Sequence, residues 1–486
     1  MSVLSTERTS EHGLLLDTEV AEILNRHAAV GLAVGMVRDG RLEFFHGHGF
    51  ADIASKTPIT EDTVFRIGSI TKTFTAIALM QLWEQGSIDL EAPANAYLRA
   101  YRLIPAHPAH RPATVRHLLT HSAGLPQCVY LWRAFQPTLG EMVPFGRPVP
   151  TLDQYYRGGL RLVAEPGTRH VYSNHGFATL GQIIEDVARQ PLDRYFREHI
   201  FEPLGMESTD LARSDRLRGS LATAYVLRSH GARPVVDQDL ITSAGGGVYS
   251  TTRDMARYVA ALLGHTSDPG SILQPETLEA MFASQYRPDP HLAGVGLAVY
   301  RREVGDHLFI EKSGLIPGFA SQMSLAPDDG VGMVAFTNGA KGAHGWLGPQ
   351  ISRILGRSVG APDEAIRTDV PQRPDIWSDL CGRYSLRGSW RDAQKWLLTG
   401  AHIVARGGRL ILRPETPIPG LRGCQLYPDD EDDPYVFRAD LSRLGIGTVR
   451  VVFSAETGAP ATAFHVEIEP LMSFEKRPAS TDPRRR

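Results

Sequence analysis

The hydrophobic pattern along the chain falls into two strand-like blocks separated by a long stretch with helical spacing. In the first block, GLAVGMV and RLEFFHGHGF flank Asp39-Gly40, a pair suited to the positive φ angles of a tight turn. The chain is therefore expected to open with a β-hairpin. The second block runs from Gly294 to Asn338 and carries GVGLAVYRR, HLFIEKSG, FASQMSLAP and GVGMVAFTN, separated by Gly-Asp and Pro-Asp-Asp-Gly turns. Between them the apolar positions recur at helical spacing, as in Thr179 to Arg189 and Asp254 to Leu263, with Thr251 and Asp254 placed as a capping box. The expectation is an α+β domain, in which N- and C-terminal strands form one antiparallel sheet with flanking helices and a helical insertion.

After the helix-like AHGWLGPQISRILG, residues 358–374 are polar, proline-bearing and without period, as a linker is. This divides the chain into a first domain, 1–357, and a second, 375–486. In the second, HIVA and RLILR around Gly407-Gly408, then TVRVVF and TAFHVEI around Glu456-Thr-Gly458, predict a small all-β fold, a meander or lipocalin-like barrel. The acidic run DDEDD at 429–433 has no EF-hand spacing and reads as a solvated hairpin tip before Pro434.

Composition narrows the function classes. The 486 residues, 42% hydrophobic and 22% charged, are those of a globular chain with more than one domain. With 51 basic against 54 acidic residues, the net charge of -3 gives no electrostatic case for nucleic acid or an anionic membrane as partner. Three cysteines, Cys128, Cys381 and Cys424, with no CxxC, make neither a disulfide scaffold nor a thiolate zinc site. The N-terminal MSVLSTERTSEHGLLLD has only a three-leucine run, broken off by Glu7, Arg8, Glu11 and His12, and lacks the apolar core of an export signal. The apolar stretch from Ala28 to Val37 is far shorter than the roughly 20 residues of a membrane span. A cytoplasmic protein is expected.

The candidate chemistry starts at Ser69. Ser69-Ile-Thr-Lys72 opens the apolar run TFTAIALMQLWEQG, which predicts a largely buried helix ending at Gly86. The i, i+3 spacing places Ser69 and Lys72 on one face of its first turn. A serine there could be only a cap, but a lysine in an apolar helix needs a reason. Burial and a second cation would lower its pKa and make it a base toward the hydroxyl. The same spacing in Ser473-Phe-Glu-Lys476 opens no helix, and Gly356-Arg-Ser358-Val-Gly360 matches a nucleophile elbow without the strand before it or the helix after it. Two further elements single out Ser69. Tyr172-Ser-Asn174 follows the turn-rich EPGTRH, and Lys312-Ser313-Gly314 lies on a predicted strand. Two of only six lysines fall in these motifs, and lysine, unlike arginine, can lose its proton.

The ordered set SITK, YSN and KSG resembles the three motifs of class C β-lactamases, low-molecular-mass penicillin-binding proteins, D-aminopeptidases and β-lactamase-like carboxylesterases. HLLTHSAGLP, YSNHGFATLG and AGGGVYSTTRDMARY lie between them, and the resemblance spans residues 15 to 357. It implies a β-lactamase/transpeptidase-like fold and an acyl-enzyme mechanism without metal or organic cofactor. Carried over by motif, Ser69 is the acylated nucleophile, Lys72 its neighbouring base, and Tyr172 the proton shuttle to the leaving group. Asn174 orients Lys72 and the substrate amide, while Lys312 supplies positive potential that favours a phenolate at Tyr172 and binds a substrate carboxylate. Ser313 and Gly314 complete that strand, and the oxyanion hole is the backbone N–H of Ser69 and of Leu315.

Departures from the family pattern bear on substrate. Relatives often have threonine where Ser313 stands, histidine where Lys312 stands, and serine or glycine where Leu315 stands. Most are exported, whereas no export signal is read here. The resemblance with these departures implies a small ester, amide or short peptide substrate, with β-lactamase or DD-carboxypeptidase activity as an alternative and a catalytically silent penicillin-recognising protein as another. Residues 375–486 are then either a stability module or a cover bordering the Ser69 cleft. His117 and His121 lack the glutamate of a zinc-binding helix and read as capping or packing residues, and Gly245-Gly-Gly247 reads as a tight turn.

Overall fold

The computed structural model describes residues 11–130, 133, 140–265, 271–389, 391–392, 398–417, 421–444, 446–455 and 459–478. The start of the N-terminal segment with Glu7 and Arg8, Lys395, and the turn at Glu456–Gly458 lie outside them. Helix α1 (Glu11–Arg26) comes first, ahead of the expected opening hairpin. Its Leu16, Val20 and Ile23 recur at helical spacing and are buried against the sheet. The hairpin follows as β1 (Gly31–Arg38) and β2 (Arg41–Asp52), turned by Asp39 and Gly40 at φ 49° and 72°.

Strands β3 (Thr57–Pro58), β4 (Tyr300–Val304), β5 (His307–Ile316), β6 (Phe319–Ala326) and β7 (Val331–Thr337) complete a seven-stranded sheet in the order β4-β5-β6-β7-β1-β2-β3. The two ends of the first domain therefore meet at the antiparallel β1–β7 pair, with Leu32 opposite Thr337. Because alternate residues of a strand point to opposite faces, β1 feeds two cores. Leu32, Val34 and Met36 pack under α1 and α5 (Ala343–Val359), and Ala33 and Val37 face the core that holds the central helix. The segment around Gly294–Ala298, expected as strand, is a loop touching its neighbours by isolated bridges, with Gly294 and Ala298 at positive φ.

Between β3 and β4 lie α2 (Thr71–Glu84), α3 (Asn174–Ala188) and α4 (Thr252–Leu262), together with short strand pairs such as 102–104 beside 159–161. The insertion is thus mixed rather than purely helical. Residues 71–82 of α2 are all buried, because the helix runs through the middle of the insertion with Phe74 stacked on Tyr258 at 4.0 Å. Thr251 Oγ1 accepts the Asp254 N–H and caps α4, as its sequence predicts.

The C-terminal fold is a closed barrel of β8 (Gly382–Leu386), β9 (Gly400–Arg406), β10 (Arg409–Pro414), β11 (Cys424–Pro428), β12 (Val436–Asp440), β13 (Thr448–Ser454), β14 (Ala463–Val466) and β15 (Met472–Lys476). Each strand pairs with the next and β15 returns to β8, so the meander has no free edge. Its interior is packed with side chains, Tyr384, Phe437, Phe453, Phe464 and Phe474 among them.

The barrel is docked on the first domain. Leu292, Val295 and Tyr300 share an apolar cluster with Val436, Val452 and Leu471. Glu364 pairs with Arg302 on one side and Arg438 on the other, and the Ala293 N–H donates to Glu467. The acidic tip reaches the first domain as well, through Asp433 and His291. Among the described residues no helix is long and apolar enough to cross a membrane.

Candidate active site

Ser69 lies in a single 3₁₀ turn, Gly68–Ile70, that runs directly into α2. The turn is pressed against β5. A Cβ on Gly68, whose φ is 52°, would come within 2.7 Å of Leu315 N, and one on Gly314 within 2.9 Å of Ser69 N and 2.0 Å of Ile67 O. Only glycine permits that approach. It brings the Ser69 and Leu315 main chains together at the start of a helix, where two N–H groups can face one developing oxyanion.

Lys72 has no exposed surface, and its Nζ lies 3.1 Å from Ser69 Oγ, 2.8 Å from Asn174 Oδ1 and 2.6 Å from the Gly245 carbonyl oxygen. The Asn174 amide is fixed from behind, since its Nδ2 donates to Glu141 at 3.0 Å, so its oxygen must face the lysine. Two of the three neighbours can only accept, and the third is a hydroxyl that can also donate. A neutral amine has two N–H bonds and one lone pair, which matches this set. Burial, then the charge of Lys312, pushes the Lys72 pKa well below the ordinary value, while Glu141 and Glu469 pull it back up.

Tyr172 completes the pair around the serine. Its hydroxyl donates to Ser69 Oγ at 2.6 Å, and its ring has Lys72 Nζ at 4.8 Å and Lys312 Nζ at 5.3 Å from its centroid. Burial raises the phenol pKa far above the ordinary value, against the Ser69 hydrogen bond that lowers it, and Glu469 and Glu141 raise it further. The phenolate that the resemblance implies is disfavoured by this burial. Desolvation is the main cause, and the carboxylate that pairs with Lys312 adds to it.

Lys312, also without exposed surface, lies over the Tyr300 ring at 4.8 Å and pairs with Glu469, which the barrel supplies from the turn between β14 and β15. The other oxygen of Glu469 accepts the Ser313 N–H at 2.9 Å. The group assigned to a substrate carboxylate is thus already holding one from its own chain. Leu315, at the rim, exposes 58% of its surface.

All eight residues singled out in the sequence lie in this cleft or on the strand that walls it. Three contributors went unnoticed. Glu141 is buried, accepts Thr242 Oγ1 at 2.9 Å as well as Asn174, and stands 3.3 Å from His175 Nε2. A lone acid ahead of the apolar Met142-Val143 was its only signal. The Gly245 carbonyl lies in the triple glycine read as a turn, and Glu469 lies in the second domain. The rejected serines stay apart: Ser358 sits in the last turn of α5, donating to the Ile354 carbonyl, and Ser473 is on β15 beside His465. His117 shares a capping box with Thr114, and His121 packs its ring 4.4 Å from that of Tyr172 while its Nδ1 accepts the Ser173 N–H.

Residues 16–348 match the family described as Beta-lactamase. Protein Rv1367c of Mycobacterium tuberculosis is 32% identical over 256 residues, which cover 48% of this chain and 62% of that protein, so less than two thirds of that relative is spanned. The D-alanyl-D-alanine-carboxypeptidase/endopeptidase AmpH of Escherichia coli is 28% identical over 345 residues, covering 67% of this chain and 86% of its own. Among solved structures, the octameric penicillin-binding protein homologue from Pyrococcus abyssi superposes with a TM-score of 0.60 at 23% identity, covering 96% of this chain and all of the other. That likeness is one of fold, and it includes the barrel.

Proposed function

The chain belongs to the Beta-lactamase family, and from that premise we propose that it is a serine hydrolase that forms an acyl-enzyme at Ser69 with a small ester or amide. The observation that carries the reading is the hydrogen-bond set of Lys72, whose two fixed acceptors leave the amine lone pair for the Ser69 proton. Lys72 takes that proton as Ser69 Oγ attacks the carbonyl carbon. The N–H groups of Ser69 and Leu315 receive the oxyanion, and Tyr172 passes its proton to the leaving oxygen or nitrogen as the bond breaks. Water then enters where the leaving group stood, and the same groups return the protons in reverse order.

The test is labelling with a fluorophosphonate followed by peptide mass spectrometry. The adduct is expected on Ser69; an adduct on Ser358 or Ser473 overturns the assignment. Turnover of p-nitrophenyl acetate supports the hydrolase, whereas stoichiometric acylation without turnover makes the chain a penicillin-recognising binder. The name of the Escherichia coli relative, a D-alanyl-D-alanine-carboxypeptidase/endopeptidase, favours a second reading, D-alanyl peptide hydrolysis. That chemistry places a free carboxylate near Lys312.

A further inference from the structure

The carboxylate that meets Lys312 belongs to the protein. Glu469 precedes Pro470 in the turn that leads into β15, and both of its oxygens are committed to β5: one to Lys312 Nζ, the other to the Ser313 N–H. An ammonium and a main-chain N–H reaching the two oxygens of one carboxylate form a two-point carboxylate clamp. Lys312 is wholly buried, and among the described residues Glu469 is the anion paired with it. We propose that Glu469 is a tethered occupant of this clamp and sets specificity by excluding acyl donors whose leaving group carries a free carboxylate, leaving neutral esters and amides as substrates. This rests on the serine-hydrolase reading above.

Two physical reasons make the exclusion effective. A tethered carboxylate competes at an effective concentration of millimolar order or higher, whatever the free substrate concentration. An incoming carboxylate that leaves Glu469 in place meets like charge at close range, and one that displaces it strands a partly buried carboxylate without its partner. A purely structural ion pair would be indifferent to substrate charge. The placement argues for more than that, because Lys312 faces Tyr172 and Ser313 is two residues from the oxyanion N–H of Leu315.

The experiment uses the full-length protein and two esters with the same acyl group, phenylacetylglycyl, on 3-hydroxybenzoate and on its methyl ester. Acylation is followed by release of the phenol. The wild type is expected to favour the methyl ester at least tenfold in kcat/KM, and Glu469→Gln and Glu469→Ala are each expected to reduce that ratio at least tenfold. Equal use of both esters by the wild type, or a ratio that stays within twofold in folded variants, overturns the proposal. Should Glu469→Ala fail to fold, Glu469→Gln, which keeps the shape and loses the charge, decides. Fluorophosphonate labelling of each protein separates the two failures: a labelled Ser69 with an insensitive ratio sinks the exclusion alone, and no labelling at Ser69 in the wild type sinks the hydrolase reading as well.

Discussion

Asn174 Nδ2 donates to the buried carboxylate of Glu141 at 3.0 Å, and this one bond decides which end of the Asn174 amide faces Lys72. Glu141 therefore acts through Asn174, as a positioning residue. Its charge also raises the Lys72 pKa against burial. Replacing it with Gln removes that charge, so the Lys72 pKa falls further and the acid limb of the kcat/KM profile, where Lys72 is protonated, moves to lower pH. The plateau is expected to drop about tenfold, since a glutamine can donate as well as accept and no longer fixes the amide. A pH profile of Glu141→Gln whose acid limb stays put or moves up removes Glu141 from this role.

On the proposed mechanism, replacing Lys72 or Tyr172 has a larger effect. Lys72→Met and Tyr172→Phe are each expected to lower kcat by about 10² or more, the usual cost of a missing general acid or base. On the proposed role of Tyr172 as proton donor, its replacement should act on the leaving group most strongly, with amides losing more than activated aryl esters. Steady-state kinetics on a matched ester and amide measures this, and near-normal turnover in either mutant excludes that residue.

Gly314 is the tightest point between the serine turn and β5. A methyl group there would lie 2.0 Å from Ile67 O and 2.9 Å from Ser69 N, so one main chain must retreat. Gly314→Ala is expected to lower kcat/KM by about 10² or more, the scale of one lost oxyanion donor. Gly407→Ala, in the β9–β10 turn with nothing within 4 Å of its Cβ, should leave kcat/KM within twofold. Similar losses in both would show that backbone strain, and not the oxyanion site, is at work.

The interface between domains should be acid-sensitive. His465 on β14 stands 3.1 Å from Ser454 Oγ and 2.9 Å from Ser473 Oγ, and Ser454 donates to Asp289 of the first domain. Burial lowers the His465 pKa to about 4, with Asp289 opposing and Arg387 adding to the shift. Between that value and the ordinary 6.5 the unfolded chain binds the proton and the folded one does not, so stability rises with pH across this window and is lost on acidification. His465→Gln should therefore flatten the dependence of Tm on pH between about 6.5 and 4. Parallel Tm curves for the two proteins would show that His465 does not carry the effect.

Much of the fold and half of the site's logic were legible in the chain. Period-two runs around Asp39-Gly40 and from Tyr300 to Thr337 gave the sheet, while the run at Gly294–Ala298 proved to be a loop, and the apolar helix opened by Ser69 and Lys72 buries that lysine with all of residues 71–82. Alternation in the C-terminal runs was enough for a meander. What the chain could not reveal were partners at long range: Lys312 and Glu469 are 157 residues apart, Lys72 and Gly245 173. Hydrophobic period tells which face a residue takes within its own element and says nothing about which other element arrives there. The Gly245 carbonyl has no side chain to mark it, and Glu141 and Glu469 look like any acid until packing strips them of water. Docking of the barrel alone put a carboxylate on Lys312, where it adds to the burial that disfavours a phenolate at Tyr172.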